Sequence, residues 1–171
     1  MIRERVKHPF GSVINEASRV LVLGSFPSVQ SRAQEFYYGH AQNRFWRVLA
    51  GLFHVPLPQG VEEKISLLHH LHIALWDTVA ECEITGSADS TLIPYAFIDI
   101  ASLLQTAPIT CIFTNGRKAY VLYRRHLQPI CGLPAVCLPS TSPANAAWTM
   151  DRLMTAWAPL RDAVDKITTN K

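Results

Sequence analysis

A chain of 171 residues with 49% hydrophobic side chains is long enough for one substantial core and too short to make two domains the expectation, so residues 1–171 read as a single domain. Sixteen Lys and Arg against thirteen Asp and Glu leave a net charge of +3, which excludes a histone-like polycation and allows a phosphate-binding face of limited size. No apolar run approaches a membrane span and the opening MIRERVKHPFGSV lacks the apolar stretch of a secretory signal, so a cytoplasmic protein with no membrane association is expected.

In chain order, the first strand is predicted at residues 20–23, followed by GSFPS and a polar stretch, 24–42, without periodicity. A structureless segment of that length inside a compact domain points to function. Phe45, Trp46, Val48, Leu49, Leu52 and Phe53 then recur at helical spacing, as do Ile65, Leu68 and Leu71; both stripes read as core-facing helices. A second strand is expected at 73–76 with the loop DTVAEC, a third at 109–113 with TNGRK, and a fourth at 135–138 with PSTSPAN. Leu153, Trp157 and Leu160 mark a last helix. The strands are short and too apolar to be half exposed, which suits a central parallel sheet in an α/β fold. The four strand-ending loops then gather at one sheet edge, where open parallel sheets bind ligands.

Cys82, Cys111, Cys131 and Cys137 form no C-x-x-C pair, and two of them sit in the apolar runs TCIFT and AVCLPS. Buried free thiols are expected, and an iron–sulfur cluster, which needs a tighter ligand pattern, is not. HHLH at 69–72 places His69, His70 and His72 on a helical pattern without facing partners, so it reads as surface and no metal site is expected. His40 lies on the long loop, with no assigned proton-transfer role.

Two segments carry specific chemistry: YYGHAQNRFWRVL at 37–49 and LPSTSPAN at 138–145. With TNGRKAY at 114–120 and a partial match at GSFPS, 24–28, they resemble the uracil-DNA glycosylase superfamily, particularly its hypoxanthine-DNA (deoxyinosine) glycosylase branch, over about residues 20–145. The resemblance implies a three-layer αβα sandwich with a short, mainly parallel four-stranded sheet. It implies a monofunctional enzyme that flips a deaminated base out of DNA and hydrolyses its N-glycosidic bond, without cofactor or metal. A monomer acting on DNA with deaminated bases is expected, with abasic-site repair enzymes downstream. No lysine falls in a motif for Schiff-base chemistry.

Mismatch-specific relatives place Asn at the third position of the first motif, where this chain has Phe26, and often Pro where it has Ala41. An aromatic ring neither orients nor deprotonates water. The resemblance therefore moves that role to Asn43, the Asn of the N-x-F-W segment. Glycosidic cleavage passes through an oxocarbenium-like state, so stabilising separating charge does most of the work and a neutral amide suffices. Asn43 is expected to hold water by its carbonyl oxygen; it also reads as the cap of a helix opening at Arg44, and the two roles can coexist.

Tyr38 matches the aromatic on which relatives stack the flipped base, or else walls the core, and Phe26 forms a further wall. Asp77 ends the second strand: as a carboxylate it accepts only, which suits the N1–H of hypoxanthine and repels the bare N1 of adenine, or it caps the following turn. Asn115 reads O6 or satisfies a TNG turn. Ser140, Thr141 and Ser142 offer hydroxyls to phosphates, with Pro143 stiffening the loop and Ala144 and Asn145 at its tip; without the resemblance the segment is a Ser/Thr-rich lead into the last helix. Ser28 and Arg44 complete the expected DNA contacts, and Arg117 and Lys118 are either phosphate contacts or solvated charge. Two other readings stand beside this one: a uracil or G:T/U mismatch glycosylase, and a non-catalytic module that binds damaged DNA through the same pocket.

Overall fold

The computed structural model describes residues 2–170. Its elements are β1 (Arg3–Lys7), β2 (Val20–Gly24), α1 (Val29–Gln34), α2 (Phe45–Phe53), α3 (Gly60–His70), β3 (Ile73–Asp77), β4 (Val79–Thr85), a 3₁₀ turn (Asp89–Thr91), β5 (Ile93–Phe97), α4 (Ile100–Thr106), β6 (Cys111–Asn115), α5 (Arg117–Leu122), a π turn (Tyr123–Leu127), α6 (Gln128–Cys131), β7 (Ala135–Leu138) and α7 (Met150–Thr169). Among the described residues, no helix is long and apolar enough to cross a membrane.

Four parallel strands in the order β3-β2-β6-β7 form the central sheet. Every residue of β2 is buried because helices cover both faces. Side chains alternate along the strand: Val20 and Val22 pack with Leu49, Leu68, Leu153 and Trp157 of α2, α3 and α7. Leu21 and Leu23 face the other way, against Ile100 and Leu103 of α4 and Tyr123 and Leu127 of the π turn. These are the three layers expected from the resemblance.

The third strand runs over Cys111–Asn115, two residues later than the expected 109–113. Pairing with β2 begins only at Cys111 opposite Val20, while the Thr110 amide turns to the Arg19 carbonyl at 2.8 Å. The fourth strand lies at the sheet edge and is half exposed rather than buried, with Val136 48% accessible. Cys137 is exposed with it and Cys111 and Cys131 are half-buried, so the expectation of buried thiols is corrected for all but Cys82; the four cysteines are free.

A second sheet, antiparallel in the order β1-β4-β5, was not expected. DTVAEC is no loop: the chain passes from β3 through buried Thr78 straight into β4, with the Thr78 amide held by the Gly24 carbonyl at 2.7 Å. Cys82 and Ile84 turn inward, packing with Phe26, Leu92 and Leu122, while Glu81 and Glu83 stay partly exposed. That alternation is present in the sequence CEIT, but two register shifts against β5 obscure its start. Asp77 is thus the pivot where the chain leaves one sheet for the other.

Candidate active site

The carboxyl edge of the parallel sheet sets the site. Gly24 pairs with Asp77 and Asn115 with Leu138, so the ends of all four strands stand in one row. Above the row lies a cavity of about 400 Å³, of the size small-molecule sites usually have. Phe26, Ser28, Tyr38, Asp77, Asn43, Asn115, Ser140, Thr141 and Ser142 all line it, so the structure brings most of the predicted residues to one place. Arg44 and Asn145 lie behind the wall.

The 24–42 stretch is ordered from within. Ser28 caps α1 by accepting the Ser31 amide and donates to Ser31 Oγ, a local task in place of the expected DNA contact. Trp46 donates its indole N–H to the Tyr37 carbonyl at 3.1 Å, and Tyr37 Oη donates to the Gly11 carbonyl at 2.8 Å. Glu35 and Tyr38 adopt positive φ, 55° and 54°, a conformation that non-glycine residues take at a cost and that concentrates at functional sites.

Thr141 is the hub of the rim. It is wholly buried, and every polar group it owns is paired. Its amide donates to Asn115 Oδ1 at 3.0 Å and its hydroxyl accepts from Asn115 Nδ2 at 2.9 Å. The hydroxyl in turn donates to Asn43 Oδ1 at 2.9 Å, and its carbonyl accepts the Arg44 amide at 3.1 Å. The phosphate contact expected of Thr141 is therefore corrected: the residue ties three loops together and has no donor left. Asn115 serves the same clamp, neither reading a TNG turn of its own nor presenting its whole amide to a base.

Asn43 Oδ1 also accepts the Phe45 amide at 2.9 Å in an Asx turn that leads into α2; the helix opens at Phe45 with Arg44 at its N-cap position, which corrects the expectation that Asn43 is the cap. Two donors on one carbonyl oxygen occupy both lone pairs. The expectation that this oxygen holds water is corrected: the group of Asn43 left for the cavity is its amide nitrogen, a donor.

Arg44 turns inward. Its terminal nitrogens donate to the carbonyls of Trp148, Ser142 (3.0 Å) and Asn145 (3.2 Å), so the guanidinium holds the 142–148 loop instead of a phosphate. Asn145 closes the same loop through Nδ2 to the Ser140 carbonyl at 3.0 Å, which corrects its placement at an exposed tip. Ser140 and Ser142 accept the Ser142 and Ala144 amides, leaving their hydroxyl protons for other acceptors.

Asp77 does not cap a turn. Its Oδ2 lies 2.8 Å from His8 Nε2, and both side chains are 5% exposed. Its Oδ1 lies over Gly24, where any Cβ would stand 2.4 Å from it and 3.2 Å from Tyr38 Oη. Only glycine lets these two groups approach the strand end. Burial, reinforced by Asp77, pushes the Tyr38 hydroxyl far up while Asn115 opposes the shift, so Tyr38 is a neutral donor. It has no hydrogen-bond partner of normal geometry among the described residues. One face of its ring is covered by Phe45, with centroids 4.2 Å apart.

Two contributors were missed. His8 meets Asp77 across 69 positions, a pairing that no local motif announces. Asp89, in the polar run GSADS, reads as turn, yet its carboxyl bends in to accept the Ser25 hydroxyl at 2.6 Å. Desolvation there raises its pKa, Ser25 and Lys118 oppose the shift, and Asp77 adds to it. Lys118 and Arg117 themselves stay off the cavity wall.

The model of the Uracil DNA glycosylase superfamily matches residues 12–163. A Methanosarcina acetivorans protein named hypoxanthine DNA glycosylase is 34% identical over 149 residues, which cover 86% of this chain and 93% of that protein. One of the same name from Methanosarcina barkeri is 30% identical over 115 residues, 66% of this chain and 73% of that protein. A solution NMR structure of a uracil DNA glycosylase candidate from Methanosarcina acetivorans superimposes with a TM-score of 0.80 at 31% identity, covering 93% of this chain and 98% of that one. With its strand-edge cavity and this match over most of its length, the chain belongs to the uracil DNA glycosylase superfamily.

Proposed function

We propose that this protein is a monofunctional DNA glycosylase that excises hypoxanthine from deoxyinosine, acting as a monomer in the cytoplasm. The observation that carries this reading is the pair of groups over Gly24: a buried donor with no acceptor among the described residues, Tyr38 Oη, beside a buried acceptor, Asp77 Oδ1. A lactam edge, a carbonyl next to an N–H, is their complement. Hypoxanthine presents O6 and N1–H there; adenine presents an amino group and a bare N1, and would leave the carboxylate facing a lone pair. Sites built on such hydrogen bonds reject the mispaired analogue by roughly 10⁴-fold.

In this reading Tyr38 reads the base edge with its hydroxyl, and Phe26 bounds the base's face. The amide nitrogen of Asn43 donates to a water oxygen and aims the remaining lone pair at C1′ of the sugar. The C1′–N9 bond breaks, the water oxygen bonds to C1′, and the water's proton passes through solvent to the departing base. No group of Asn43 takes that proton. The bonds from the Phe45 amide and the Thr141 hydroxyl keep the Asn43 amide rigid, so little reorganisation is needed as charge separates. Ser140 and Ser142 supply hydroxyls to the flanking phosphates.

Uracil offers an N3–H beside a carbonyl, so the same pair of groups also suits uracil, and the superfamily match favours that as a second reading. An oligonucleotide panel carrying hypoxanthine, uracil, xanthine and G·T decides between them. Hypoxanthine released fastest, with an abasic product and no strand cleavage, is the expected result. Release of uracil alone replaces hypoxanthine with the second reading, and a borohydride-trapped covalent complex rejects the monofunctional mechanism. No release from any lesion, with binding retained, leaves a damage-binding module.

A further inference from the structure

The acceptor that reads the base is held from outside the cavity. His8 Nε2 lies 2.8 Å from Asp77 Oδ2, and the other ring nitrogen, Nδ1, accepts the Phe10 amide at 3.4 Å. A backbone N–H can only donate, so Nδ1 is bare and the ring proton sits on Nε2, pointing at the carboxylate. No other hydrogen bond to the Asp77 carboxylate is present among the described residues. The ring itself has little freedom. Pairing of β1 with β4 sets Lys7 opposite Glu81 and brings the His8 amide to the Ala80 carbonyl at 2.8 Å. Phe10 and Phe26 then grip the imidazole edge-on, at 4.6 and 5.7 Å between centroids.

A buried carboxylate deprived of its donor takes up a proton, and a carboxyl that carries a proton can donate as well as accept. It would then accommodate the bare N1 of adenine that it otherwise repels. We infer that His8 is a specificity-determining positioning residue, whose Nε2–H holds Asp77 as a pure acceptor with Oδ1 over Gly24. This rests on the reading in which Asp77 pairs with N1–H of the flipped base. His8 does not line the cavity and precedes the region matched by the superfamily, which begins at residue 12. Its contribution therefore comes from a segment that the shared motifs do not reach.

The titratable groups facing the pair are Tyr37 and Tyr38 from the loop between α1 and α2, and Asp89 from the turn after β4. Burial keeps both tyrosines neutral, leaving Asp89 as the neighbour whose charge can change.

The test uses the full chain and the variants His8→Phe, His8→Gln and Asp77→Asn, with single-turnover excision of hypoxanthine and adenine from pH 5 to 9 and DNA affinity measured in parallel. Phe keeps the ring packing and removes the donor, while Gln restores an N–H. H8F is expected to lose about tenfold in hypoxanthine excision at pH 6, to regain the rate toward pH 9, and to discriminate less against adenine. H8Q is expected to recover most of the rate and the original pH profile. Wild-type rate, selectivity and profile in H8F, beside an impaired D77N, overturn the role of His8 alone. Equal losses in H8F and H8Q at every pH overturn it in favour of packing. D77N with wild-type rate and selectivity overturns the reading of Asp77 on which it rests. Long-range 1H–15N correlations of the unmodified protein give the tautomer directly, whether or not H8F folds: Nε2–H is expected, and Nδ1–H overturns the inference.

Discussion

Asn43 shows how one amide serves two tasks at the scale of the residue. Its oxygen is committed to Phe45 and Thr141, and its nitrogen remains for the cavity. Asn43→Ala is expected to lower excision about 10²–10³-fold, as loss of a transition-state donor does, and stability by about 1–2 kcal/mol through the lost bonds to Phe45 and Thr141. Single-turnover kinetics at saturating enzyme and thermal melts separate the two effects; unchanged kinetics would remove Asn43 from the mechanism. Tyr38→Phe deletes a hydroxyl whose proton has no acceptor among the described residues, so the melting temperature should change little. Hypoxanthine excision should nevertheless fall about tenfold, the worth of one hydrogen bond made only with substrate. An equal fall in both would show a structural hydroxyl instead. Asp89 carries a sign that pH can read. Its folded pKa is raised by desolvation, so the folded chain binds the proton more tightly, and stability is lost as pH rises through that folded value. Asp89→Asn keeps an acceptor for Ser25 and should raise the melting temperature more at pH 7 than at pH 4; an equal change at both would mean the carboxylate is not destabilising. Asn43, Tyr38 and Asp77 were legible because each stands in or beside a recognisable segment. Which atom of each faces the cavity was not, since that depends on donors supplied by Thr141, Phe45 and His8 from elsewhere.

Among the elements, the loop after β7 depends on two long side chains. Trp157 of α7, fully buried, donates its indole N–H to the Pro139 carbonyl at 2.9 Å, and Arg44 grips three carbonyls farther along. Trp157→Ala should cost about 3–5 kcal/mol by leaving a cavity in the main core, measured by denaturant unfolding. Arg44→Lys keeps the charge but not the fork that reaches several carbonyls at once. Faster hydrogen exchange across 140–148 and weaker DNA binding are expected from it; exchange at the wild-type rate would show that the clamp is dispensable. The α2, α3 and α7 stripes were readable because helical spacing of apolar residues is a local signal. β4 was harder to see, because its inward Cys82 and Ile84 follow a register shift and its Glu and Thr residues look like loop.

For the whole molecule, sixteen Lys and Arg are nearly balanced by thirteen Asp and Glu, and Arg44 beside the site is turned inward, so the net attraction for phosphates is weak. Affinity for undamaged duplex should fall by less than about 10³-fold between 50 and 200 mM salt, a smaller loss than six or more phosphate contacts produce. Fluorescence anisotropy across that range checks it, and a steeper fall would reveal a larger electrostatic footprint. The sequence alone determined the α/β rhythm, the parallel strands ending in one crevice and the two superfamily segments, because periodicity and short motifs act over neighbouring residues. Tertiary structure alone decided that Thr141 and Arg44 are clamps, that the chain changes sheets at Asp77, and that His8 faces that carboxylate. Each of these depends on pairing between residues far apart in the chain, where geometry rather than local propensity selects the partner.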